Sequence, residues 1–453
     1  MKPKRLFGTD GIRGQANRDP IEPLTLVKVG KALVTLLRKE LAHNKTIKIV
    51  IGRDTRISGP MIESALSSGI CSQGGRVRLA GEIPTPGVAF TTFGMRADAG
   101  IVISASHNAY QDNGIKIFSS EGYKIPDEWE RKIEELVETQ KFDPPSTGDE
   151  VGEAEDISEA SGRYVEFLKN TFPKKQTLKG LKIVLDCAHG ASYKVAPIVF
   201  EELDANLMVM NNEPDGKNIN DQCGAVYPEN LRSRVLQKKA DIGIALDGDA
   251  DRLIVIDEKG NVLDGDFIMA ICGLDLMKKG KLVKNTVVAT QMSNFGLEEL
   301  FQKHHVDLVR TDVGDRYVVE EMRRHSYNFG GEQCGHLVFL DYNTTGDGIV
   351  SALQLLSVMQ RQEKSLSELS HILQKFPQVL LNVKVKEKKP LEALSQTSQK
   401  IQTIQEKLRG RGRVLVRYSG TENLARVMLE GNDQKEIELM ALDIAESLKK
   451  ELG

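Results

Sequence analysis

Cysteine is scarce in this chain and scattered through it. Cys71, Cys187, Cys223, Cys272 and Cys334 are odd in number, widely spaced and form no Cys-x-x-Cys pair, which excludes a disulfide framework and a zinc site and leaves reduced thiols in a cytosol as the expectation. No apolar run approaches the roughly 20 residues that span a bilayer. The opening Met1-Lys2-Pro3-Lys4-Arg5 is basic, but glycines and Asp10 follow it where a signal peptide needs an apolar stretch, so none is expected. A polybasic tail is missing as well. Lys plus Arg number 61 against 64 Asp plus Glu, for a net charge of -3, which argues against nucleic acid as a partner. Neither a Walker A pattern nor Gly-x-Gly-x-x-Gly occurs, so a nucleotide site has little support. What remains is an ordinary globular composition, 40% hydrophobic, over 453 residues, too long for one core and enough for about three or four domains.

The most informative stretch runs from Asp98 to Ser119. Ala99-Gly100-Ile101-Val102-Ile103 is a short apolar run suited to a buried strand, and it stops abruptly at Ser104-Ala105-Ser106-His107-Asn108. Asp112-Asn113-Gly114 is expected to turn the chain, and Ile115 to Phe118 alternates like a second strand. Ser106 thus sits at the carboxyl end of a strand, where ligands gather in layered α/β domains. A polar hairpin end is the plain reading. A serine hydrolase lacks its Gly-x-Ser-x-Gly setting here, whereas a phosphorylated serine would need a metal, cationic groups and a phosphate cradle elsewhere.

Around this stretch the chain alternates strand and helix. Helices are expected at about Leu24 to Ala42, in the Gly59 to Ser72 region, after Pro84 and over Asp127 to Glu138, with strands at Ile47 to Ile51 and Val77 to Leu79. Lys141 to Asp156, with its prolines, glycines and acids, reads as a linker. The pattern restarts with strands at Leu181 to Asp186, Leu207 to Met210 and Ile242 to Leu246, and helices at Tyr193 to Leu203 and Pro228 to Lys239. A third unit from about Gly260 to Ser370 holds a strand at Val287 to Ala289 and a helix after Asn294. The last segment has strands near Val379 to Val385, Val414 to Arg417 and Arg426 to Leu429, with helices between and after. The expected class is α/β, with three similar α/β/α mixed-sheet domains at 1–156, 157–257 and 258–372 and a smaller α+β domain at 373–453 around a central cleft.

Four further loops carry chemistry. Phe7 to Gly14 has three glycines and Arg13, which would bring backbone and a permanent charge to a ligand. Asp247, Asp249 and Asp251 alternate on one short loop and would repel one another unless a divalent cation sat among them, all-oxygen ligation suiting Mg²⁺. Their Asp-x-Asp-x-Asp spacing also opens an EF-hand, but Arg252 stands where that loop needs glycine, and Leu253 to Ile256 reads as a strand. Gly331-Glu332-Gln333-Cys334-Gly335-His336 suits sugar hydroxyls, a structural turn being as good a reading. Arg417-Tyr418-Ser419-Gly420-Thr421-Glu422-Asn423 joins two strands and is either a phosphate cradle or a polar hairpin loop.

Taken together, these five motifs in this order resemble the α-D-phosphohexomutase superfamily over essentially the whole chain. The resemblance implies Ser106 as the phosphoserine, Asp247, Asp249 and Asp251 with Ser106 as the ligands of one Mg²⁺, and Arg13, Arg252, Lys116 and His107 as catalytic groups. It also implies Glu332 and Cys334 as sugar contacts, and Arg417, Ser419, Gly420, Thr421 and Arg426 as the distal phosphate site. The general base is left between Lys116 and His107. Three residues depart from the family pattern: Ala109 for proline, Tyr418 for proline or lysine, and Cys334 for serine, which exchanges a good hydroxyl for a weak thiol. The implied activity interconverts glucosamine 6-phosphate and glucosamine 1-phosphate through a 1,6-bisphosphate that also serves as activator, toward UDP-N-acetylglucosamine and cell-wall precursors. The same chemistry on a C2-hydroxyl sugar, as in phosphomannomutase or phosphoglucomutase, is the alternative. The expected setting is a cytoplasmic monomer or homodimer with a small phosphosugar substrate, no nucleic acid and no membrane.

Overall fold

A computed structural model describes residues 6–8, 10–41, 46–418 and 423–453. It resolves into two compact units, the first comprising residues 1–292 and 306–371, the second 293–305 and 372–453.

The first unit carries three mixed sheets. In the first, β1 (Ile12–Gln15), β2 (Lys48–Arg53), β3 (Arg76–Glu82), β4 (Ala99–Ile103), β5 (Asp112–Ser119) and β6 (Ala154–Asp156) run in the order β1-β5-β4-β2-β3-β6. Helices α1 (Pro23–Leu41), α2 (Gly59–Ser72), α3 (Thr85–Gly94) and α4 (Asp127–Thr139) cover it. β4 is buried at every position, as an uninterrupted apolar run between two partner strands should be. Gly30 and Gly69 let α1 and α2 touch backbone to backbone, since a Cβ on Gly69 would lie 2.2 Å from the Val27 carbonyl oxygen.

Two expectations change here. Asp112-Asn113-Gly114 is no turn. It is the start of β5, paired with Gln15, Gly14 and Arg13 of β1, and the reversal occurs earlier, at Ser106, whose backbone is left-handed. Part of the expected linker is β6, held in parallel register on β3, where the edge strand had hydrogen-bonding capacity to fill.

The second sheet, β7 (Lys182–Asp186), β8 (Asn206–Met210), β9 (Ile242–Leu246), β10 (Leu253–Asp257) and β11 (Val262–Leu263), has the order β11-β10-β9-β7-β8 and packs with α5 (Ala160–Thr171), α6 (Val195–Glu202) and α7 (Glu229–Lys238). After α8 (Gly265–Lys278), the third sheet contains β12 (Thr286–Thr290), β13 (Asp307–Thr311), β14 (Phe329–Gly331) and β15 (Leu337–Phe339), in the order β13-β12-β14-β15. Between β12 and β13 the chain visits the second unit as α9 (Phe295–Lys303). It then returns for α10 (Asp315–His325), α11 (Gly348–Gln362) and α12 (Leu366–Ser370).

One pattern repeats in all three sheets. The strand triples β4-β2-β3, β9-β7-β8 and β14-β12-β13 are parallel, and the first member of each forms an antiparallel hairpin with the next strand of the chain, β5, β10 or β15. The three hairpin loops hold Ser106, the three aspartates and the Glu332 to His336 stretch. The repetition is one of architecture.

In the second unit, β16 (Gln378–Lys384), β17 (Gly412–Tyr418) and β18 (Leu424–Gly431) form an antiparallel sheet of order β16-β18-β17, backed by α13 (Ser395–Leu408) and α14 (Gln434–Leu452). The helix after Asn294, placed by sequence in the third unit, belongs here. Buried Glu430 accepts from the Phe295 amide at 3.0 Å, and Asn294 bonds both the amide and the carbonyl of Phe376. No helix among the described residues is long and apolar enough to cross a membrane.

Candidate active site

The loop between β4 and β5 holds Ser106 in a left-handed conformation, φ 51°, which costs a residue with a side chain about 1–2 kcal/mol. The loop after the neighbouring parallel strand β2 supports it. Arg56 is fully buried and spends its guanidinium on one place. Nη2 donates to the carbonyls of Ser106 and Asn108, both at 2.9 Å, Nη1 to those of Ala109 at 2.5 Å and Asp112 at 3.2 Å, and Nε to Asp54 Oδ2 at 2.9 Å. Asp54 Oδ2 also accepts from Ser104 Oγ, which in turn accepts from the Ser106 amide. From the second sheet, Asn220 Nδ2 donates to the carbonyls of Ser106 and Asn108 at 2.9 and 3.1 Å.

Ser106 Oγ donates to Asp247 Oδ2 at 2.7 Å and lies 3.4 Å from His107 Nδ1. The loop between β9 and β10 therefore meets the serine directly. Leu253 to Asp257 is a strand, as expected, and no EF-hand helix begins there. Candidate ligand atoms of Asp247, Asp249 and Asp251 all lie within 4.8 Å of one another, and all three residues are buried. Burial, then the neighbouring Asp251 and Asp249, push the Asp247 carboxyl well above the usual range. Burial acts the same way on Asp251, but Lys116 and His336 outweigh it and hold that carboxyl well below the range. Among the described residues, Asp249 Oδ1 and Asp251 Oδ1 are buried without a hydrogen-bond partner. Three converging carboxylates with unfilled oxygens are a donor set that a hard divalent cation fits.

Lys116, on β5, donates to Asp249 Oδ2 at 2.9 Å and Asp251 Oδ2 at 3.0 Å, with Asp10 3.5 Å away. Burial disfavours its ammonium, yet Asp10, Asp249 and Asp251 more than compensate and hold its pKa well above the ordinary value. Arg13 pairs with Asp10 and reaches the Ala105 carbonyl at 3.4 Å. Burial and the charges of Arg252 and Arg13 push His107 down to about 4, so its ring is neutral at neutral pH.

The third hairpin loop is stitched to the second. Leu253 donates its amide to the Gly335 carbonyl, Arg252 bridges His336, and His336 Nδ1 lies 3.6 Å from Asp251 Oδ1. Glu332 feels His336 and Arg252 and has the Cys334 thiol 3.8 Å from its Oε2. Ser106, His107, Lys116, Arg13, Arg252, the three aspartates, Glu332 and Cys334 thus gather in one unit. Arg417 and Arg426 lie in the other, directly opposite each other on β17 and β18. Like charges placed this way repel, and burial and Arg426 lower the Arg417 pKa, an arrangement that an anion would relieve. Ser419, Gly420 and Thr421 lie outside the described residues.

Sequence reasoning missed Asp54, Arg56, Thr85 and Asn220, and the pair Lys124 and Asp315. Thr85 Oγ1 donates to Asp249 Oδ2 at 2.6 Å, and Lys124 joins Asp10 and Asp315, each at 2.5 Å. The run Arg53-Asp54-Thr55-Arg56, charged and at the carboxyl end of a strand, carried the same signal that marked Ser106.

Comparison with known proteins agrees with this geometry. Family models described as phosphoglucomutase/phosphomannomutase α/β/α domains I, II and III match residues 4–144, 162–260 and 264–376, and the C-terminal domain model matches 380–447. The chain is 54% identical to a phosphoglucosamine mutase of Syntrophotalea carbinolica, covering 99% of this chain and 98% of the relative. It is 52% identical to one of Bdellovibrio bacteriovorus over 100% of both. Among solved structures, a phosphoglucomutase/phosphomannomutase family protein of Burkholderia thailandensis shares the fold with a TM-score of 0.81 at 22% identity, covering 98% of this chain and 97% of that one. The Aspergillus fumigatus N-acetylphosphoglucosamine mutase, in complex with GlcNAc-6P and magnesium, aligns with a TM-score of 0.68 at 20% identity over 98% and 95%.

Proposed function

This chain belongs to the phosphoglucosamine mutases of the phosphoglucomutase/phosphomannomutase family, isomerases acting on phosphohexoses, and from that premise we propose that it works through a phosphorylated Ser106. The observation that carries the reading is Ser106 Oγ, 2.7 Å from Asp247 in a buried cluster of three aspartates, with Lys116, Arg13 and Arg252 around it.

Phosphoserine 106 gives its phosphoryl group to O1 of glucosamine 6-phosphate. The P–O bond to Oγ breaks as the bond to O1 forms, the sugar hydroxyl's proton passes through the base to Oγ, which leaves as the serine hydroxyl, and the 1,6-bisphosphate results. Its O6 phosphoryl group then returns to Ser106 and leaves glucosamine 1-phosphate. Transfer through a loose transition state asks for alignment and charge neutralisation more than for covalent chemistry. Asp247, Asp249, Asp251 and Ser106 would hold Mg²⁺, which supplies much of that neutralisation. Arg13 and Arg252 add fixed positive charge beside the serine loop, and Lys116 takes the hydroxyl proton. Its base role requires the charges of Asp10, Asp249 and Asp251 to be offset, since those three carboxylates are what hold its pKa up. His107, whose Nδ1 lies 3.4 Å from Oγ, is the alternative base. Glu332 and Cys334 contact the sugar, and Arg417, Ser419, Gly420, Thr421 and Arg426 grip the distal phosphate. A bisphosphate primes Ser106. Four domains at about 1–156, 157–257, 258–372 and 373–453 are our division, and four matched family models, at 4–144, 162–260, 264–376 and 380–447, favour that number. Five free cysteines and a phosphosugar substrate support a cytoplasmic enzyme, monomeric or homodimeric, feeding UDP-N-acetylglucosamine and peptidoglycan precursors.

Turnover of glucosamine 6-phosphate, glucose 6-phosphate and mannose 6-phosphate, compared side by side with Mg²⁺ and a trace of bisphosphate, tests the assignment. A strong preference for the amino sugar that vanishes in Ser106→Ala supports it. Preference for a C2-hydroxyl sugar, or turnover that survives the substitution, contradicts it.

A further inference from the structure

Resting on the phosphoserine reading, we propose that Arg56 and Asn220 are positioning residues of phosphoryl transfer, gripping the Ser106 carbonyl from two sides so that Oγ is held against Asp247. Neither side chain touches a reacting atom. Four carbonyls of the Ser106 loop, those of residues 106, 108, 109 and 112, converge on the Arg56 guanidinium. A fully buried guanidinium must place each of its N–H groups on an acceptor, and arginine offers five donors in a rigid fork. All five are used here, four on the loop and one on Asp54. The planar fork sets the carbonyls relative to one another, and with them the left-handed Ser106 backbone.

Asn220 supplies what Arg56 cannot. It lies on the second sheet's side, its amide bonded to the Ala188 carbonyl, and its Nδ2 is directed at two carbonyls that Arg56 already holds. Its Oδ1 is buried with no hydrogen-bond partner among the described residues, and the bonds from its Nδ2 go to the serine loop. The Asp247 to Arg252 loop belongs to the same sheet as this contact. The Asn220 bonds therefore fix the Ser106 loop relative to the three aspartates. That separation is what a positioning-limited transfer depends on, because a misplacement of 1 Å costs about 10²-fold in rate.

The test uses the full-length protein with Mg²⁺. In Asn220→Ala, kcat for glucosamine 6-phosphate should fall by about tenfold or more, half that logarithmic penalty, with KM within about twofold of the parent. The rate at which phospho-Ser106 is discharged by excess sugar phosphate, read by intact mass after rapid quenching, should slow by the same factor, and the thermal midpoint should stay near the parent's. Arg56→Lys keeps the charge but offers one point to four carbonyls, so its loss should reach about 10²-fold. Parental kcat and discharge rate in Asn220→Ala would overturn the proposal. So would a raised KM at unchanged kcat, or a thermal midpoint that falls in step with activity. If the parent itself carries no phosphoryl group on Ser106, the underlying reading fails; if the parent discharges normally and Asn220→Ala does too, only this inference does.

Discussion

Replacing Gly248 with alanine puts a methyl group into a close contact between the serine loop and the aspartate loop. An ideal Cβ there would lie 2.6 Å from the Ser106 carbonyl oxygen, 2.7 Å from Asn220 Nδ2 and 2.9 Å from Ile219 Cδ1, where ordinary contact begins at 3.4 Å. The shortfall against the carbonyl is about 0.8 Å. Ser106 O cannot yield cheaply, because Arg56 and Asn220 both hold it at 2.9 Å. The aspartate loop must move, and with it Asp247, now 2.7 Å from Ser106 Oγ. With a cost of about 10²-fold per ångström of misplacement, kcat should fall by about 30- to 100-fold. Overpacking of a filled interior should also cost about 1–3 kcal/mol of stability. A coupled assay for glucosamine 1-phosphate and a thermal melt measure both. Gly162→Ala is the control, since its Cβ meets nothing within 4 Å on α5. It should keep full turnover and gain about 0.5–1 kcal/mol from helix propensity. Gly248→Ala with turnover within twofold of the parent would refute the claim that these two loops are locked together.

Lys116→Met should lower kcat by at least about 10²-fold while leaving Mg²⁺ affinity equal or tighter, since a cation next to the ligands has been removed; near-normal turnover would contradict its role as base. Chelation with EDTA should abolish turnover, and raising free Mg²⁺ to about 100 times its Kd should then restore it and add about 2.7 kcal/mol of stability by mass action. An unchanged denaturation midpoint would count against a metal among the aspartates. Cys334 is exposed at the loop surface, yet the protein packed around its thiol, together with Glu332, outweighs Arg252 and pushes it up to about 12. A raised thiol pKa withholds the thiolate, so alkylation of Cys334 at pH 8 should run slower than that of a free thiol and speed up as the pH rises toward 10. Rapid labelling at pH 8 would show an ordinary thiol.

Elements defined by a local apolar run were readable from the sequence. Ala99–Ile103 and Ile242–Leu246 are strands with the bounds their composition suggests, and Gly59–Ser72 is a helix end to end. The motifs of the Ser106, aspartate and Glu332 loops were visible too, because small, acidic and glycine residues stand out after β-branched strands. Partner choice was not. Short strands such as Ile12–Gln15 and Leu337–Phe339 exist because a neighbouring strand offers an edge, and nothing within their few residues announces it. Asp112-Asn113-Gly114 has the composition of a turn but lies in a strand, since β1 and β4 flank it and the Ser106 loop has already reversed the chain. The helix after Asn294 was recognised, yet its attachment depends on Glu430, more than a hundred residues on. Arg56 was not singled out from the sequence, because an arginine's burial is decided by carbonyls brought to it from residues 106 to 112.

The most direct test of the account is the chemical fate of Ser106. Protein freed of phosphate is incubated with Mg²⁺ and glucosamine 1,6-bisphosphate, digested and mapped by mass, then chased with excess glucosamine 6-phosphate and quenched at short times. The account predicts one phosphoryl group, about 80 Da, on the peptide containing Ser106, adding its charge there and lost at least as fast as kcat. A phosphoryl group on another residue, or one on Ser106 that leaves more slowly than the enzyme turns over, would contradict it.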